Sequence, residues 1–106
     1  VTRPNRLEFL EDLVAKGKAD SFARYALALE YAKQERYDEA VSTFSALRAG
    51  DPSYLPMYLM AGKLLSEHGQ PAAARQWIEA GLSVAKTKND PKTHGELSEL
   101  LSTLGA

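Results

Sequence analysis

The sequence predicts an all-α fold, a stack of antiparallel helix hairpins with six helices in all. Three observations predict it. The chain nearly repeats itself every 34 residues: Leu27-Ala28 falls on Ala61-Gly62, Tyr31 on Leu65, Ala40 on Ala74 and Phe44 on Ile78. Proline and glycine punctuate runs of helical length, and no stretch alternates with period two, so no strand is expected. A period of this length in such a sequence marks stacked helical hairpins, which offer binding surface rather than a pocket for chemistry.

The first helix is expected from Arg6 to Lys16, capped by Asn5 with Glu8 three residues on, and stopped by Gly17. Leu7, Leu10, Leu13 and Val14 form its apolar stripe. The second runs from Ser21 to Gln34, capped by Asp20 or Ser21. Phe22, Tyr25, Leu27, Ala28, Leu29 and Tyr31 make it apolar on more than one face, as for a helix between neighbours. The third runs from Tyr37 or Asp38 to Ala49, with Ala40, Val41, Phe44 and Leu47 inward, and Gly50-Asp51-Pro52 ends it.

The fourth helix is expected to start near Ser53 or Tyr54, with Pro56 in its first turn, and to end before Gly69. The fifth starts at Pro71 and reaches Lys86, followed by a polar loop from Thr87 to Asp90. The sixth begins at Pro91 under an Asp90 cap and carries Leu97, Leu100, Leu101 and Leu104.

From Ser21 to Tyr54 the chain closely resembles a tetratricopeptide repeat (TPR). The residues that carry the resemblance are Leu27-Ala28, Tyr31, Lys33-Gln34, the turn Tyr37 to Val41, Phe44 and the closing Asp51-Pro52. A second unit, Leu55 to Lys88, keeps Tyr58, Ala61-Gly62, Leu65, Gly69, Ala74 and Ile78. The resemblance implies a right-handed superhelical stack, a TPR-like α-α solenoid. It departs from the family pattern at Arg24, where an aromatic residue is frequent, at Glu35 in place of a turn glycine, and at Lys86 in place of the closing proline. Carried on, the period places Lys92, Gly95, Glu96 and Glu99 at core positions, whereas the apolar residues are Leu97, Leu100, Leu101 and Leu104. The last helix therefore reads as a cap. The expected organisation is one TPR domain: 1–19 an N-terminal helix, 20–54 and 55–88 the two repeats, 89–106 the capping helix. Both end helices are expected to cover apolar ends of the stack.

Composition narrows the function. With 13 Lys and Arg against 14 Asp and Glu, the net charge of −1 gives no electrostatic reason to bind nucleic acid or an acidic membrane. Lys86, Lys88 and Lys92 read as a solvated helix end. No cysteine is present, so disulfides, thiolate nucleophiles and Cys-bound metals are excluded, which fits the cytoplasm. No apolar run is long enough for a transmembrane helix, and Val1 to Arg6 have no signal-peptide core. Without an initiator Met the chain is expected to be a trimmed product or part of a longer protein.

Chemistry is not expected. His68 and His94 lie apart and lack the spacing of a helical metal pair, so no metal is predicted. No glycine-rich phosphate loop or nucleophile elbow occurs, and no cofactor is predicted. Glu96 and Glu99, three apart on one face, read as a solvated face rather than an acid–base pair. Trp77 is read as covering a neighbouring helix, the last one, rather than anchoring an interface.

By resemblance, the inner face of each hairpin's first helix forms a concave groove. In the first repeat that face is Phe22, Tyr25, Leu29 and Lys33; in the second it is Leu59, Lys63, Ser66 and Glu67. The expected function is a non-enzymatic protein-interaction module holding a peptide or helical segment of another protein in an apolar groove. The alternatives are that the same surface serves homo-oligomerisation, as a homodimer or scaffold, and that Phe22, Tyr25 and Leu29 are simply core. Some family members grip the terminal carboxylate of chaperone peptides with Lys, Arg and Asn on this face. The positions here are Tyr25, Leu29 and Met60, with Asp90 and His94 if the register extends. Only His94 among them is basic, which argues against a chaperone C-terminal peptide as ligand.

Overall fold

Helix starts follow caps and prolines. The computed structural model describes residues 5–104 and contains six α-helices among them: α1 Arg6–Ala15, α2 Ser21–Lys33, α3 Tyr37–Gly50, α4 Pro56–Glu67, α5 Pro71–Thr87 and α6 Pro91–Ser102. The Asn5 side chain accepts the Glu8 N–H at 2.8 Å, and Asp20 accepts the Ala23 N–H at 2.8 Å. Asp20, not Ser21, is thus the cap of α2, and the Ser21 hydroxyl donates instead to Asp51 at 2.6 Å. α4, α5 and α6 each open on proline, whose missing N–H removes a donor that the first turn leaves unpaired.

Five boundaries differ from expectation. α1, α2 and α3 end at Ala15, Lys33 and Gly50 rather than at Lys16, Gln34 and Ala49, one residue in each case. α4 begins at Pro56 rather than at Ser53 or Tyr54, because the preceding residues form a turn. α5 continues through Thr87, where the sequence predicts loop.

Four of the helix ends are built alike. After α1, α2, α4 and α5 the chain passes through one residue with positive φ: Gly17 (68°), Glu35 (60°), Gly69 (70°) and Asn89 (55°). The residue that follows each donates its N–H back five positions, as in Lys18 to Leu13, Arg36 to Tyr31, Gln70 to Leu65 and Asp90 to Ala85. This is the Schellman cap, which satisfies the last carbonyls of a helix and reverses the chain. Glu35, a departure from the repeat pattern, adopts the backbone of the glycine it replaces.

The helices fall into two compact units, residues 1–52 and 53–106. In the first, α1 packs on α2 and α2 on α3. Its buried residues include Leu7 and Leu10 of α1, Leu27, Ala28 and Tyr31 of α2, and Ala40, Phe44 and Leu47 of α3. The Tyr25 and Phe44 rings meet tilted, 6.3 Å between centroids. Polar ties reinforce it: the Tyr31 hydroxyl donates to Glu11 at 2.6 Å, and Arg6 pairs with Glu30 at 3.5 Å. The Arg36 guanidinium lies over the Tyr31 ring, 4.8 Å from its centre, and also binds Glu39. Burial and the bond to Glu11 push the Tyr31 hydroxyl up to about 12.

In the second unit α5 packs on both α4 and α6, and α6 also reaches α4. Met57, Tyr58, Ala61 and Leu65 of α4, Ala74, Trp77, Ile78 and Ala85 of α5, and Leu97 of α6 are buried. Two glycines set the helix spacing. A Cβ on Gly62 would lie 2.7 Å from Cγ1 of Ile78, and a Cβ on Gly81 would lie 2.5 Å from Cβ of Tyr58 and 3.1 Å from Leu97. Trp77 packs its ring against Tyr58 of α4, with centroids 5.8 Å apart, and is buried rather than an exposed anchor. Among the described residues no helix is long and apolar enough to cross a membrane.

Candidate interaction surface

Helical periodicity collects Phe22, Tyr25, Leu29 and Lys33 into one stripe along α2, since their spacings of three and four return to the same face. Leu27, Ala28 and Tyr31 take the buried side. Phe22 is 60% exposed, Lys33 is exposed, and Tyr25 and Leu29 are half-buried. Tyr25 thus divides its ring between the Phe44 contact and solvent. Among the described residues, Phe9 of α1 is the other large apolar side chain with most of its surface in water, at 55%; it lies outside the apolar stripe expected of α1.

On α4 the stripe is Leu59, Lys63, Ser66 and Glu67. Leu59 and Ser66 are half-buried, and Lys63 and Glu67 are exposed. Leu59 and Lys63 enter a cleft of about 330 Å³ whose other wall is Glu96, Glu99, Leu100 and Thr103 of α6. Ser66 and Glu67 lie beyond it, nearer the end of α4. Glu96 and Glu99 are exposed, as their reading as a solvated face requires, but the same face also walls this cleft. The signal was present in the sequence: Glu96, Glu99, Leu100 and Thr103 are spaced three and four apart, so an apolar residue sits within the acidic stripe.

Neither stripe assembles a catalytic group. Among the described residues no cluster of His, Asp and Glu has the geometry to hold a metal ion. Asp90 has its carboxyl held below the usual carboxylate range by two bonds from Thr93, one from the backbone N–H and one from the hydroxyl, which is a capping role. Glu39 is likewise lowered by its bond from Arg36.

A tetratricopeptide-repeat family model matches residues 31–102. The chain belongs to this family. A TPR repeat-containing protein of Pseudomonas aeruginosa is 30% identical over 98 residues, covering 92% of this chain and 93% of its own. Among solved structures, a protein from Bordetella parapertussis determined in solution is similar with a TM-score of 0.82 and 32% identity, over 96% of this chain and 89% of that one. A TPR domain protein from Salinibacter ruber is similar in its solution form (TM-score 0.76, 30% identity, 80% of this chain and 86% of that one). Its crystal form gives 0.75 at 30% identity, over 81% and 96%. The fold is therefore an all-α TPR-like helical solenoid. TPR domains generally mediate protein–protein interaction and are generally not enzymes.

Proposed function

We propose that this protein is a cytoplasmic TPR module that carries out no chemistry and binds a peptide or helical segment of another protein. The proposed contacts are the stripes that the resemblance assigns to the groove-facing side of each repeat's first helix, Phe22, Tyr25, Leu29 and Lys33 on α2 and Leu59, Lys63, Ser66 and Glu67 on α4. Repeats 20–54 and 55–88 supply these stripes, and 1–19 and 89–106 serve as the terminal helices. The observation that carries the reading is the exposure of Phe22 on a stripe shared with Tyr25 and Leu29. A large aromatic side chain kept in water beside two other apolar ones has the character of an interface anchor. A chain without cysteine needs no oxidising compartment, which fits the cytoplasm.

The test is a pull-down with wild type beside Phe22→Ala, Tyr25→Ala and Lys63→Ala, each checked for an unchanged helical spectrum. Loss of specific proteins with the variants is the expected result. Recovery of the same proteins by all four chains ends the reading.

Phe9 favours a second reading, self-association as a homodimer, because it leaves an aromatic side chain exposed on α1 as well. Light scattering over a range of concentrations separates the two. A monomer throughout removes self-association; a tight dimer that Phe9→Ala or Phe22→Ala dissociates supports it.

A further inference from the structure

The cleft between α4 and α6 has an apolar floor and an uneven rim. Leu59 and Leu100 supply the floor, Lys63 stands on the α4 wall, and Glu96 and Glu99 stand on the α6 wall. Helical spacing puts both glutamates on the same face as Leu100, so the carboxylates flank the apolar surface rather than point away from it. Among the described residues, none of the three charged side chains is engaged in an ion pair. Two carboxylates face one ammonium, and the cleft is acidic on its α6 side.

The geometry points to a basic segment of a partner protein as the occupant, with one apolar anchor seated between Leu59 and Leu100 and an arginine or lysine beside it directed at Glu96 and Glu99. This rests on the reading of α4 as a binding surface and adds the chemistry of the ligand. The floor accepts any aliphatic or aromatic side chain of suitable size, so the rim decides between partners. An acidic segment would bring its charge against two carboxylates, which is a penalty as effective for selection as the attraction is for binding. Lys63 faces the opposite flank and takes a carbonyl or carboxylate oxygen there, which sets the direction in which the segment lies.

The experiment is a fluorescence anisotropy titration of the full chain with two labelled synthetic peptides. They share their leucine anchors and differ only in carrying arginine or glutamate at the flanking positions. The arginine peptide is expected to bind about tenfold more tightly at low salt, with the gap closing as salt screens the rim. Glu96→Gln with Glu99→Gln should remove that preference, while Glu35→Gln with Glu79→Gln, an equal change of net charge elsewhere, should keep it. Equal binding of the two peptides to wild type overturns the proposal, as does a preference that survives at Glu96→Gln/Glu99→Gln or vanishes equally in the control. Leu59→Ala separates the two levels of the claim. If it weakens both peptides while charge makes no difference, the basic ligand is wrong and the α4 surface stands. If neither peptide binds wild type, or Leu59→Ala changes nothing, the α4 surface falls and the basic ligand with it.

Discussion

Each of the two units holds one copy of the repeat, and the two copies fill their interiors differently. In the first, Arg24 and Leu47 line a cleft of about 560 Å³ between α2 and α3. Thirty-four residues on, the same positions are Tyr58 and Gly81, and the tyrosine lies directly against the glycine. A long polar side chain and a leucine have been exchanged for a buried aromatic ring and no side chain at all. The first unit supplements its core with polar ties, Tyr31 to Glu11 and Arg36 to Tyr31. The second relies on close approach at Gly62 and Gly81, with Tyr58, Trp77, Ile78 and Leu97 packed about them. Both hairpins bury small residues where their helices meet, Ala28 and Ala40 in one and Gly62 and Ala74 in the other; the first unit adds side-chain polar ties, and the second adds a further close approach at Gly81.

The strongest way to break this comparison is to impose one unit's residue on the other. Gly81→Leu installs the residue found at Leu47, and its Cβ alone would overlap Tyr58. Overpacking a filled core costs typically about 1–3 kcal/mol, and the overlap with a Cβ close to the backbone puts this site at the upper end or beyond. Urea denaturation should show that loss, and Gly81→Ala should show a smaller part of it, because a Cβ alone already meets Cβ of Tyr58. A Gly81→Leu variant as stable as wild type would mean that α4 and α5 part there without cost.

Next in size is Tyr31→Phe, which removes the bond to Glu11 from the first unit and should cost about 1 kcal/mol, or somewhat more because the acceptor is charged. The same bond gives a pH signature. The folded hydroxyl titrates near 12 against an ordinary value of 10, so the neutral form is favoured by folding. Its contribution is complete below pH 10 and is lost as the pH rises from 10 toward 12. Tyrosinate absorbance should lose a late-ionising component in Tyr31→Phe, and Glu11→Gln should move that component to lower pH.

The smallest expected effect is at the turns. Glu35→Gly gives the first unit the turn residue that Gly69 gives the second, and should raise stability by about 1 kcal/mol or less as the left-handed strain is relieved. Asn89→Gly should gain less, because asparagine tolerates that conformation better. Thermal melts of the two variants, compared with wild type, check the order.

Much of this fold was legible in the sequence because its signals are local or periodic. Ala28 with Gly62, and Ala40 with Ala74, announce helix contact by being small at matching positions. Asp20, Asp90 and the prolines at 56, 71 and 91 mark helix starts. Gly81 carries no such mark because its counterpart is Leu47, so the 34-residue echo that pairs Gly62 with Ala28 does not reach it; its signal is an isolated glycine inside a long amphipathic helix. The ring contact of Trp77 with Tyr58 of α4 is not read from spacing, because it depends on packing angles that spacing does not carry. The candidate surface was legible only as stripes. Periodicity groups the eight residues on α2 and α4, and the family resemblance is what selects that face of each helix, whereas the wall that α6 adds beside Leu59 and Lys63 depends on where a helix outside the repeat register docks.

The pairing of Tyr58 with Gly81 also orders the history by which two equal copies could diverge. Starting from arginine and leucine, losing the leucine first leaves a hole, which a helix pair survives at reduced stability. Gaining the tyrosine first forces two bulky groups into one space. On a route that starts from arginine and leucine the glycine comes first, since only without a side chain at 81 can the helices approach as Tyr58 and Gly81 now do.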